Sequence, residues 1–326
     1  MMRVLFVEEF DPAGVCLGHR DVLRARGIDA RVALERAYTR RQLDADWLAP
    51  TDLGLREFSA AADVIVWAPG IGHASVDGGP WACQAATCGL DVPGVLHPPV
   101  TSFGPVPFSP QARHVAFFHG SVNVWAHRGR WARHYRDRGW TLATSTIDYA
   151  VEIDAAYLPP VVTVPGFARL RRDDEPLVLV QTPSDPDNCH TPEMIRLARR
   201  LAIPMRVGTC LTHKSALWLK TQGNAGFDHM RGSFSVNHVE NCACGLAATC
   251  GLNADYETRF KAERLASLAD AGLFRTWADL TDALGTWRDN PNLHREAQRA
   301  RVAWAQTHFN TNAIGDRLVH FFRSLT

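Results

Sequence analysis

Glu240 stands close to the start of an expected helix in GFDHMRGSFSVNHVENCACGLAATCGL, residues 226–252. The stretch reads as short strand, Gly-Ser loop, helix, glycine stop and second short strand. The loop Gly232, Ser233, Phe234, Ser235 leads into the helix, whose first backbone N–H groups and positive dipole end suit an anion. A carboxylate just beyond can bridge two neighbouring sugar hydroxyls. An anion site beside a diol site fits a nucleotide-sugar. Without a ligand, Glu240 would be an acid near a helix start, stabilising that dipole by ~0.3 to 1 kcal/mol.

Other residues could do related chemistry. His119 ends the apolar run ARHVAFFHG, residues 112–120, and Gly120 leaves backbone room beside it. A histidine there can hydrogen-bond a sugar or move a proton near neutrality, although a lone strand-end histidine is more often structural. His190 and Thr191 open a helix in PSDPDNCHTPEM, and Lys214 in LTHKSALWLK offers either a phosphate partner or a solvated helix face. Gly14 and Gly18 follow the first strand without the GxGxxG spacing, so a dinucleotide cofactor is weakly supported.

AHRGRWARHYRDRGW, residues 126–140, carries five Arg and two His against one Asp, with Trp131, Tyr135 and Trp140 interleaved. Arginine with aromatics can contact phosphates and bases, which makes Arg128, Arg130, Trp131, Arg133 and Arg136 candidates for holding an anionic acceptor. The alternative is an exposed helix with an apolar buried face. Cys242 and Cys244 with nearby His229 and His238 could suggest zinc, but CxC within a helix points the thiols about 200° apart, so core packing is favoured over metal.

These residues need elements to place them. MRVLFV (2–7), ADVIVWAP (62–69) and ARHVAFFHG (112–120) are continuous apolar runs, as in parallel strands covered on both faces; IDARVAL and TLATST (141–146) complete a first set. In such sheets the ligand crevice lies at the carboxyl ends of the strands. YLPPVVTVPGFARLRRDDEP, residues 157–176, is rich in proline and reads as a linker over 161–176. The rhythm then restarts with LVLVQT (177–182), MRVGTC (205–210) and AGFD, before a helical tail from 256. The expectation is an α/β chain of two Rossmann-like doubly wound domains facing across a cleft: 1–160, then 177–326 with C-terminal closing helices.

Composition is compatible with this. The 326 residues suit two domains, and 46% hydrophobic with 21% charged residues is ordinary for globular chains. The net charge of +1 does not advertise a polyanionic partner for the whole molecule. No run reaches a membrane span, MMRVLFVEEF lacks the parts of a secretion signal, and the eight scattered cysteines show no disulfide rhythm, so a cytoplasmic protein is expected.

In order along nearly the whole chain, RVLFVEEF…GVCLGHRDVLRARGIDARV, FFHG, LATSTID, YLPP and FSVNHVENCACGLAATCGL resemble the GT-B glycosyltransferases, most closely the retaining bacterial sugar transferases. The resemblance implies an acceptor-side N-terminal domain and a C-terminal donor domain taking a UDP-, GDP- or ADP-sugar, without cofactor or metal. It also implies domain closure over the linker to exclude water. That group has two glutamates ahead of an AxxxG-like helix; Glu240 fills the second place, which implies a ribose contact, and Gly232 falls in the first. Asp228 or His229 could substitute for the missing sugar contact. The expected basic phosphate partner after the first strand of the second domain is also absent, leaving His190, Thr191 and Lys214. Two alternatives remain: a DNA-modifying transferase acting on a hydroxymethylated base, and a catalytically silent nucleotide-sugar-binding or scaffolding protein.

Overall fold

The computed structural model describes residues 1–8, 14–34, 45–48, 53–68, 109–118, 129, 132–133, 135–162, 170–265 and 267–326. His119, Gly120, Arg128, Arg130 and Trp131 lie outside the described residues. The chain divides into two compact units, one of residues 1–160 with 314–326 and the other of residues 161–313.

The first unit is built on a parallel sheet in the order β3-β2-β1-β4-β5-β6-β7. Its strands are β1 (Arg3–Glu8), β2 (Asp29–Leu34), β3 (Trp47–Leu48), β4 (Val64–Ala68), β5 (Arg113–Phe118), β6 (Thr141–Thr144) and β7 (Ala156–Tyr157). Five of the six β1 residues are buried, which is why an uninterrupted apolar run belongs in this place. The strand order reverses between β1 and β4, so the end of β1 at Glu8 lies at a switch point. Gly14 caps α1 (Val15–Arg24) at φ 67, a left-handed conformation that glycine adopts without steric cost. Gly18, expected in the same loop, is instead inside α1, its N–H bonded to Gly14 O at 3.0 Å. Helices α2 (Leu53–Ala60) and α3 (Ile147–Glu152) complete the described middle of this unit.

The second unit carries the parallel order β12-β11-β10-β8-β9, with β8 (Leu179–Gln181), β9 (Met205–Val207), β10 (Ala225–Phe227), β11 (Ala247–Gly251) and β12 (Leu273–Phe274). Between them run α4 (Thr191–Arg200), α5 (His213–Lys220), α6 (Val236–Ala243), α7 (Ala254–Ala262) and α8 (Leu268–Ala271); α9 (Trp277–Asp289) and α10 (Pro291–His308) follow. Leu179, Met194, Leu197, Phe227, Leu280 and Leu284 form one buried core. A polar stripe on α10 ties the start of the unit to its sheet: Gln298 Oε1 accepts from Arg171 N at 2.9 Å, while its Nε2 donates to Gly245 O at 2.7 Å.

The last helix, α11 (Thr311–Leu325), departs from the expected assignment of 177–326 to one domain. Residues 314–326 belong to the first unit. The reason is the apolar face of Ile314, Leu318 and Phe322, whose Phe322 ring meets Phe6 edge-on at 6.0 Å. Arg26 reaches Asp316 at 3.2 Å on the same helix. Among the described residues, no helix is long and apolar enough to cross a membrane.

Candidate functional site

In the second sheet the chain goes from β8 to the edge strand β9 and returns past β8 to β10, so the switch point lies between β8 and β10. The residues at their carboxyl ends are stitched together. Gln181 Nε2 donates to Cys189 O at 2.9 Å and to Asp228 O at 3.0 Å, and Thr182 Oγ1 donates to Asn237 Oδ1 at 2.9 Å. Sequence reading did not single out Gln181, Thr182 or Asn237.

Ser235 is the N-cap of α6 and accepts from Asn237 N at 3.1 Å. Asp228, at the end of β10, accepts from Ser235 N at 3.2 Å, Ser235 Oγ at 2.8 Å and Asn237 Nδ2 at 3.0 Å. Burial opposes ionisation of Asp228, but His229, His238 and these donors hold its carboxyl below the usual range. The start of α6 therefore already carries a carboxylate of its own.

Gly232 has φ +95, and a Cβ there would come within 3.0 Å of Asn253 Cβ. Asn253 N also donates to Gly232 O at 2.9 Å. A glutamate at this position would be strained by that φ and would crowd Asn253. Phe234, expected to contact the donor, faces inward instead: it is 4% exposed and packs edge-on against Phe260, Trp304 and Phe309 at 5.7 to 6.0 Å. An apolar ring on this loop is better buried against α7 and α10 than left in water.

Two hydroxyls near these helix starts are buried without a hydrogen-bond partner, Thr191 Oγ1 on α4 and Ser233 Oγ on the loop before α6. His190 caps α4 in a left-handed conformation at φ 53, with no side-chain cap bond, and its Nδ1 accepts from Met230 N at 3.4 Å. Burial lowers the pKa of His190, helped by the charges of His229 and Arg231 and opposed by Glu193.

Glu240 is buried on α6, and both carboxylate oxygens are engaged. Lys220 Nζ donates to Oε2 at 2.8 Å, and His213 Nε2 lies 2.8 Å from Oε1. Burial disfavours the charge, yet the Lys220 ammonium and then His213 hold the carboxyl well below its ordinary range. Lys214, proposed as a phosphate partner, is exposed; its neighbour His213 is the residue of that turn that reaches Glu240. The spacing of His213 and Lys220, about two helical turns, was the available signal for their shared face.

Asp228, His229 and Cys250 bring ligand atoms within 4.8 Å of one another and are the described group that could hold a metal ion. Both Asp228 oxygens are already accepting, and burial followed by the Asp228 charge keeps the Cys250 thiol protonated. These groups act here as a hydrogen-bonded closure of the loop. Cys242 and Cys244 are both buried, the first in α6 and the second at its C-cap.

In the first unit, two aromatics of the basic segment, Tyr135 and Trp140, pack within the fold. Tyr135 is 1% exposed and stacks on Trp140 at 4.9 Å; Trp140 stacks on His114 at 4.8 Å, and Trp67 Nε1 donates to His114 Nδ1 at 3.0 Å. Arg133 and Arg136 are exposed, and Arg136 donates to the carbonyls of Ile153 and Asp154.

No family profile matches the chain, and no curated protein sequence does either. Solved structures match over its full length. An alpha-glucosyltransferase in complex with UDP-glucose and DNA containing an abasic site has a TM-score of 0.60 at 10% identity, covering 98% of both chains. A glycosyltransferase from Rickettsia africae ESF-5 has 0.55 at 11%, covering 99% of this chain and 98% of that one. The lipopolysaccharide outer core galactosyltransferase WaaB in its apo form has 0.53 at 10%, covering 99% of each. The chain has the GT-B fold that these glycosyltransferases share, two Rossmann-like parallel sheets followed by long C-terminal helices.

Proposed function

We propose that the protein is a glycosyltransferase that moves a sugar from a nucleotide-sugar to an acceptor hydroxyl, with retention and without a metal. The observation that carries this reading is the switch point of the second sheet. There two buried hydroxyls, Thr191 Oγ1 at the start of α4 and Ser233 Oγ on the loop before Glu240's helix, lack hydrogen-bond partners, as expected of groups awaiting a polar ligand. Glu240 would take the ribose diol. Thr191, Ser233, the His190 ring and loop N–H groups would take the diphosphate, with Asp228 shaping the loop rather than touching the anion. Departure of the diphosphate puts positive charge on the anomeric carbon and negative charge on the leaving oxygen, which fixed donors can stabilise. The leaving phosphate would accept the acceptor's proton, and His119 would hydrogen-bond the donor sugar.

A panel of UDP-, GDP- and ADP-sugars tests this. One of them should raise the melting temperature by mass action and release free sugar slowly without acceptor. No stabilisation by any of them would remove the donor reading. Stabilisation without sugar release or transfer would favour a silent binding protein, the reading motivated by Gly232 in the first glutamate place.

A DNA acceptor is the second reading, favoured by the likeness to the DNA-complexed alpha-glucosyltransferase and by exposed Arg133 and Arg136. Duplex retention should then be clear at ~50 mM salt and fall steeply as salt rises. Absence of retention at that salt would leave a non-nucleic-acid acceptor.

A further inference from the structure

Glu240 is gripped from two sides by one helix. Lys220 Nζ is 2.8 Å from Oε2 and its side chain is 0% exposed, whereas His213 Nε2 is 2.8 Å from Oε1 and its side chain is 31% exposed. Both partners lie on α5, two turns apart, so they bracket the carboxylate from inside and outside. The asymmetry gives them different work. Removing Glu240 from Lys220 would leave a buried ammonium unpaired, which is strongly unfavourable. Removing it from His213 costs less, because that ring is 31% exposed and water can reach it. The outer oxygen is therefore the exchangeable one.

We propose that Lys220 and His213 are positioning residues for ribose recognition: Lys220 anchors Oε2, and His213 covers Oε1 until the diol of a donor ribose takes its place. The inference rests on the donor reading above, in which Glu240 is the ribose ligand. In the free protein His213 gives Oε1 a hydrogen bond; on binding, a ribose hydroxyl supplies another. Net affinity is then the difference between two hydrogen bonds to one charged oxygen, and His213 sets the size of that difference. Lys220 does not compete, because it approaches from the dry side. Its effect is to keep the carboxylate pointing the same way whether His213 or ribose faces it.

Calorimetry with UDP, GDP and ADP and their 2′-deoxy counterparts tests the arrangement. For the diphosphate that binds best, the ribo form should bind wild type about tenfold or more tightly than the deoxy form. His213→Ala should tighten the ribo form by roughly 3- to 10-fold and widen that ratio, because a competing hydrogen bond is gone. Glu240→Gln should collapse the ratio toward unity, and adding His213→Ala to it should change nothing further, which a purely structural histidine would not do. Lys220→Met, where circular dichroism shows it folded, should narrow the ratio as Glu240→Gln does; where it does not fold, the His213 and Glu240 cycle decides alone. A His213→Ala protein with an unchanged ratio, or with ribo binding weakened to the Glu240→Gln level, overturns the exchange. A folded Lys220→Met protein with the wild-type ratio overturns the anchor. Failure of every nucleotide to bind wild type would instead remove the donor reading itself.

Discussion

Lys220 and Glu240 form an ion pair in which neither side chain is more than 11% exposed, so each depends on the other. Lys220→Met alone should cost about 3 to 5 kcal/mol in chemical denaturation, since it strands a buried carboxylate. Adding Glu240→Met should recover most of that loss, because a well-packed apolar pair can replace a buried ionic one. Recovery of less than half would mean that the two residues support other contacts. The same site makes a statement about acid. Glu240 and Asp228 both have folded carboxyls held below their ordinary values of 4.5 and 3.8, so their stabilisation is fully present above those values and is lost as pH falls through and below them. Glu240→Gln should therefore flatten the acid side of the stability profile below about pH 4.5, read by urea midpoints. An unchanged acid slope would contradict the ionic account.

At the scale of elements, Phe234 shows that a loop at a sheet's switch point can owe its shape to packing on the far side. Phe234→Ala should cost about 3 to 5 kcal/mol, like other deletions of buried rings. A loss under ~1 kcal/mol in the urea midpoint would return Phe234 to the donor side. The major elements were legible because their signals are local. The apolar runs of β1, β4 and β5, the proline near the start of α4, and the glycine after α6 each say what they are within a few residues. The two-residue strands β3, β7 and β12 were not, since their strand character comes from the neighbour they pair with. Lys220 escaped notice for a similar reason: only the fold reveals that a lysine ending an exposed-looking helix is completely enclosed beside Glu240. The Tyr135 and Trp140 rings show the converse, where composition suggested contact with a partner and the stack with His114 uses them internally.

For the whole molecule, the final helix serves the unit in which the chain began. Deleting residues 314–326 removes Ile314, Leu318 and Phe322 from the first unit and uncovers Phe6. Hydrogen exchange should then accelerate in β1 and α1 while β8, β10 and β11 stay protected; loss of protection in the second sheet would show that the helix stabilises both units. The same chain path has a second consequence. The second unit begins at Val161 and ends at Ala313, and near those limits Val162 N donates to Phe309 O at 3.2 Å, so its two ends leave from neighbouring points. A segment with adjoining termini can be lifted out and replaced as a cassette without respanning any gap. Chimeras that graft a different 161–313 equivalent onto the remaining chain should therefore keep the first unit's sheet and its last helix intact.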